Sequence, residues 1–271
     1  MRYPLSGIIA FFLMLIIVCP SHAIDIAPGN AASVGAQSQN AAPDIKKLLD
    51  EGNRLYGEGN YRQAIVNYTI VERSLEKTTD PNLLNAIYNR GLSYHKTGDY
   101  PMAIEDFSRV ITLSPADIPA HLHRGNAYAL NKQRANAIDD YTKAITLDPA
   151  NAALYYARGI TFQEVPETID RGIEDFKKAV TLNPADKKSL CFLGIAYYKK
   201  RDYRTSARYF DEAVNVDPRF KEAYTGRGQA NFKRDRATEA LADFIRACEM
   251  GDKLGCTMHE LLSKKDRSGI P

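Results

Sequence analysis

Residues 86–115 read AIYNRGLSYHKTGDYPMAIEDFSRVITLSP. Ile87, Gly91 and Tyr94 recur at helical spacing, Thr97-Gly98-Asp99 breaks the run with turn residues, and Ala103, Phe107 and Val110 resume it. Pro115 ends the second run. The segment therefore predicts helix, turn, helix. A glycine inside a helix costs about 1 kcal/mol against alanine, so Gly91 implies a close approach of the two helices, with Phe107 filling the wider space.

The same pattern recurs. Gly91, Gly125, Gly159, Gly194 and Gly228 are spaced 34, 34, 35 and 34 residues apart, and Pro81, Pro115, Pro149, Pro184 and Pro218 keep the same intervals. An aromatic column (Phe107, Tyr141, Phe176, Phe210, Phe244) and a small-residue column (Ala103, Ala137, Gly172, Ser206, Ala240) share that register. An earlier unit carries Gly52, Leu55, Tyr61, Ala64 and Tyr68, with its extra residues in SLEKTTDP. The extra residue of the fourth unit falls in QEVPET, where Pro166 is expected to end a helix. One such hairpin cannot bury its own apolar face, so the units must stack.

These motifs resemble the tetratricopeptide-repeat (TPR) family over roughly residues 44–264. The resemblance implies an all-α, right-handed superhelical solenoid of six helix–turn–helix units. The expected repeats are 45–83, 84–117, 118–151, 152–186, 187–220 and 221–252, with a capping helix at 253–264 and a tail at 265–271. In such folds the first helix of each unit lines a concave groove. Spacing then assigns Tyr56, Tyr88, Leu92, His95, Leu122, Asn126, Leu130, Tyr156, Ile160, Tyr198 and Phe232 to a protein-binding face, beside Asn53 and Gln229. Tyrosine, large and rigid with a polar tip, suits protein recognition. Chaperone-binding members clamp a carboxylate with Lys, Asn and Arg; the corresponding places here hold Leu49, Asn53, Asn89, Pro119 and His123, without the cations.

Arg90, Arg124, Arg158 and Arg227 precede the first-helix glycine, and Asp106, Asp140, Asp175 and Asp243 precede the second-helix aromatic. Where the Arg place is Leu193 or Glu51, the Asp place is Tyr209 or Asn67. Joint presence and joint loss predict four ion pairs, each across its own hairpin.

The N-terminus carries Arg2, an apolar run from Gly7 to Val18 and Ser21-His22-Ala23, the layout of a secretory signal peptide over residues 1–23. An uncleaved membrane anchor is the alternative, and Ile16-Ile17-Val18 argues against lipid on Cys19. Residues 24–43, rich in Ala, Ser, Gly, Asn and Gln, read as a flexible linker. The expected location is periplasmic or secreted. With a net charge of +3 and no long basic run, the chain offers no footprint for nucleic acid. Beyond the N-terminus no stretch is long enough to span a bilayer.

No catalytic or cofactor constellation stands out. His259-Glu260 opens like a zinc-protease motif, but Ser263 replaces the second histidine. His121 and His123 fall on different helix faces. Cys248 and Cys256 flank a turn that would bring them together, predicting a disulfide in an exported chain; Cys191 is left as a buried residue or a groove thiol. The function expected is a non-enzymatic adaptor for a protein or peptide partner of a cell-envelope complex. The alternatives are a self-associating homo-oligomer and, further off, a thiol-redox protein.

Overall fold

The computed structural model describes residues 44–267, and the expected signal peptide, linker and extreme C-terminus lie outside them. Every regular element among the described residues is helical. Six helix pairs follow one another: α1 (Ile45–Gly57) with α2 (Tyr61–Leu75), α3 (Pro81–Thr97) with α4 (Tyr100–Leu113), and α5 (Ile118–Leu130) with α6 (Arg134–Leu147). Then come α7 (Ala152–Gln163) with α8 (Ile169–Leu182), α9 (Lys187–Lys199) with α10 (Tyr203–Val216), and α11 (Lys221–Phe232) with α12 (Ala237–Glu249). A final helix, α13 (Lys253–Arg267), closes the series and runs past the tail boundary expected at 265. The described chain divides into two compact units, residues 44–189 and 190–267.

Local chemistry places the helix starts. Asp44, Asp80, Asp99, Asp117, Asn151 and Asp202 each accept a hydrogen bond from a backbone N–H of the first turn, satisfying a donor that the helix itself cannot. Pro81 shares the spacing column of the helix-ending Pro115, yet it is the first residue of α3, where a missing N–H costs nothing. The insertion after α2 ends that helix at Leu75, six residues before Pro81. In the fourth pair α7 stops at Gln163, and Pro166–Thr168 form a single 3-10 turn before α8.

The core is built from the repeating columns. Tyr68, Phe107, Tyr141, Phe176, Phe210 and Phe244 are each 2% exposed or less, and each such ring contributes on the order of 2–3 kcal/mol by burial. The facing glycine admits the ring: a Cβ built on Gly125 would lie 2.6 Å from the Tyr141 ring. Gly172 lets backbone approach backbone, since its Cβ would stand 3.0 Å from the Gly159 carbonyl oxygen. In each unit second helices pack against the first helix of the next pair, and first helices also touch one another, as α1 does α3 and α5 does α7. The first helices of residues 44–189 thus present one continuous face.

Candidate functional site

Ten of the residues assigned to the binding face are half-buried: Tyr56, Tyr88, Leu92, His95, Leu122, Asn126, Tyr156, Ile160, Tyr198 and Phe232. Leu130 is more open, at 45% exposure. In the first unit this face has an aromatic floor. Tyr88 meets Phe107 edge-on at 5.7 Å and His123 at 5.9 Å, while His123 stacks on Phe107 at 5.7 Å. His95 packs edge-on to Tyr100, and Tyr56 to Tyr61. Tyr156 leans on Phe176. In the second unit Tyr198 meets Tyr203 at 5.2 Å.

Burial keeps these polar tips uncharged. It pushes the Tyr88 phenol up to about 12, helped by the nearby Asp117 carboxylate. It pulls the His123 imidazole down to about 4, with His95 adding to the effect. His95 is lowered by burial and then by Lys96, and its Nε2 is a buried atom with no hydrogen-bond partner. At neutral pH the floor is therefore apolar, with neutral imidazoles and phenols that can still donate or accept a hydrogen bond.

Asn126 has a second task. Its Oδ1 accepts from the Tyr141 hydroxyl at 2.8 Å, and Asn53 Oδ1 accepts from the Tyr68 hydroxyl at 2.8 Å and from Asn89 Nδ2 at 3.1 Å. The sequence carries the signal. Asn follows the glycine where the aromatic is Tyr, and Leu92, Ile160 or Ile195 follows it where the aromatic is Phe107, Phe176 or Phe210. The sixth pair mixes the two, with Gln229 against Phe244, and the Gln229 Oε1 is buried with no hydrogen-bond partner.

The four Arg–Asp pairs form two-pronged contacts. Arg90 reaches Asp106 at 2.7 and 2.9 Å, Arg124 reaches Asp140 at 2.7 and 2.8 Å, and Arg158 reaches Asp175 at 2.8 and 2.9 Å. Arg227 approaches Asp243 at 2.7 Å. A further bond links neighbouring pairs. The Nη1 of each arginine donates to the second helix of the preceding pair: Arg90 to Thr69 and Glu72, Arg124 to Ser108, Arg158 to Thr142, Arg227 to Asp211. Thr69, Ser108, Thr142 and Asp211 stand one place after the aromatic column, and Glu72 one helical turn further on, whereas the fourth pair has Lys177 at that place and the next pair has Leu193 instead of Arg. Glu72 also accepts from Arg109. His121 joins Asp140 at 3.1 Å and the Pro115 carbonyl at 3.1 Å.

Where the pair is missing, other chemistry fills the place. Leu193 is buried and Tyr209 stacks on Tyr197 at 5.5 Å. Glu51 pairs instead with Arg54 on the surface. Cys248 and Cys256 form a disulfide between α12 and α13 with Cα atoms 4.5 Å apart. Leu254, Met258 and Leu262 of α13 pack on Ala240 and Phe244. Cys191 is fully buried, which does not place a thiol in the groove. Among the described residues no group of three or more His, Cys, Asp or Glu could hold a metal ion, and no helix is long and apolar enough to cross a membrane.

Tetratricopeptide-repeat profiles match residues 85–117, 118–151 and 192–253. The chain is a TPR protein. Its fold is similar to that of MamA from Desulfovibrio magneticus, at 26% identity over 66% of this chain and 98% of that one, with a TM-score of 0.59. It is similar to a TPR protein from Parabacteroides merdae at 16% identity, covering 81% of this chain and 98% of the other with a TM-score of 0.63. The C-terminal part of a TPR repeat-containing protein from Cytophaga hutchinsonii matches at 21% identity over 74% and 78% of the two chains, with a TM-score of 0.62. No curated protein matches. TPR domains generally mediate binding to protein partners. In this one the places of a carboxylate clamp hold the buried Leu49, the Asn53 and Asn89 amides bonded to each other, and the stacked His123.

Proposed function

We propose that the chain is a non-enzymatic scaffold of the cell envelope that holds an apolar or aromatic segment of a partner protein on the first-helix face of residues 44–189. The observation that carries this reading is the uncharged aromatic floor made by Tyr88, Phe107 and His123. A charged segment would lose its hydration there without gaining an opposite charge, whereas an apolar one gains burial. Export is supported by the N-terminal sequence and by the Cys248–Cys256 disulfide, which belongs to an oxidising compartment. The test is affinity capture from the envelope fraction with wild type and with Tyr88→Ala/Tyr156→Ala, folding being checked by circular dichroism. A partner that is lost with the folded variant supports the reading; an unchanged set of captured proteins refutes it. Self-association is the second reading, favoured by Val66 and Ile70, exposed one turn apart on α2. Sedimentation at several concentrations separates the two.

A further inference from the structure

The positive charge of the second unit gathers at the turns between its paired helices. The first turn reads Lys199-Lys200-Arg201-Asp202-Tyr203-Arg204, four cations against one carboxylate, and the next reads Lys233-Arg234-Asp235-Arg236, three against one. The whole chain carries a net charge of only +3. Lys199, Lys200, Arg201, Arg204, Lys233 and Arg236 are all exposed. α10 packs against α11, and Arg227 of α11 donates to Asp211 of α10, so the two pairs stack in register with both turns on the same edge. The Asp202 carboxylate is turned to its own helix, accepting from the Thr205 N–H at 3.0 Å.

Backbone conformation sets which substitution the first turn tolerates. The turns of the first two helix pairs hold Gly59 and Gly98 in the left-handed region, at φ 82° each. The equivalent residues of the third, fifth and sixth pairs are Lys132, Arg201 and Asp235, at φ 63°, 63° and 59°. A side chain with a Cβ is disfavoured in that region, so glycine at Arg201 removes a charge without straining the turn.

We propose that these two turns form a basic edge that rests on an anionic phospholipid surface. The patch has charge without shape. Tyr203 is half-buried against Tyr198, and no exposed apolar residue stands in either turn to anchor a protein partner. Charge density on long side chains is what an array of anionic headgroups recognises, with each cation near the surface strengthening association about fivefold. The secretory signal expected over residues 1–23 would deliver the chain to a compartment bounded by such surfaces.

The experiment is co-sedimentation of the full chain with vesicles of phosphatidylcholine alone and of phosphatidylcholine mixed with phosphatidylglycerol. The N-terminal run would favour both vesicles alike, so the ratio between them is the readout. Wild type is expected to favour the anionic vesicles, and less so at high salt. Arg201→Gly/Arg204→Gln/Lys233→Gln is expected to lower that preference about a hundredfold while its melting temperature holds or rises. Lys46→Gln/Lys47→Gln/Arg62→Gln, which removes equal charge from the first unit, is expected to leave it unchanged. No preference for anionic vesicles, an equal loss in both variants, or binding to soluble polyglutamate in place of vesicles would each overturn the proposal.

Discussion

Replacing Arg90 by leucine strands the most buried carboxylate of the four pairs. Asp106 is 1% exposed, and Arg90 gives it two hydrogen bonds at 2.7 and 2.9 Å. Burial already pushes its carboxyl upward, against the pull of Arg90. Breaking a buried pair from one side costs ~3–5 kcal/mol. A ceiling comes from protonation: neutralising a carboxyl of ordinary pKa takes about 4 kcal/mol at pH 7 but only about 1.5 kcal/mol at pH 5. In Arg90→Leu the folded-state pKa of Asp106 lies above its unfolded value, so the penalty shrinks as pH falls. The reverse change, Asp106→Leu, is milder, about 1–3 kcal/mol, because Arg90 keeps Glu72 at 2.9 Å and Thr69 at 3.2 Å. The double variant leaves no buried carboxylate at that place and should be at least about 1 kcal/mol more stable than Arg90→Leu alone. Urea unfolding followed by circular dichroism at pH 7 and pH 5 measures all four proteins. A double variant no more stable than Arg90→Leu, or an Arg90→Leu penalty equal at both pH values, would refute the reasoning.

Tyr141→Phe should cost about 1–2 kcal/mol by leaving the Asn126 amide short of a donor, and Asn126→Leu about as much, while the two together should cost clearly less than their sum in a denaturation cycle. His123, lowered to about 4, should withdraw about 2–3 kcal/mol of stability as pH falls from near 6.5 toward 4, because the unfolded chain takes up the proton first; His123→Leu should lose that component of the slope. Reducing the Cys248–Cys256 bridge should lower stability by about 2–3 kcal/mol and make two thiols newly reactive to a maleimide in the denatured chain, read by mass spectrometry.

The repeat is legible in this sequence because each packing role recurs at one register, and Gly125 with Tyr141 shows why neither can drift: there is no room for a Cβ beneath the ring. The Arg–Asp pairs are legible for a related reason, since the loss of both partners at Leu193 and Tyr209 is visible without coordinates. The Tyr–Asn bonds leave the same kind of trace, but each column reads as ordinary on its own, Tyr and Phe being equally good core rings. Only the two columns together separate them. The arginine bonds to Thr69, Ser108 and Thr142 are harder to see, because they join different repeats and the insertion after α2 shifts the first spacing. In the sequence His121 stands out only as one of two histidines split between helix faces. It stands six residues after Pro115, as Tyr155 does after Pro149 and Tyr224 after Pro218, and all three tips reach the proline carbonyl. Pro81 shows the limit of a column: the same residue ends one element or begins the next according to how many residues precede it. The binding face has no such internal check, since its complement lies in another molecule.

The arginine that reaches backward gives each of the four repeats that carry it a leading side, set against a trailing side on the repeat before. A unit presents its guanidinium to the one before it and a hydroxyl or carboxylate to the one after. Splicing the segments in a new order is then governed by a grammar of neighbours. Duplicating the third unit in tandem would set Thr142 before a copy of Arg124, a permitted junction. Inserting the fifth unit after the second would set Ser108 before Leu193, and the hydroxyl would meet no cation. Growth or trimming of such an array by whole units is therefore restricted to joints where donor and acceptor already match, even though every unit shares one backbone.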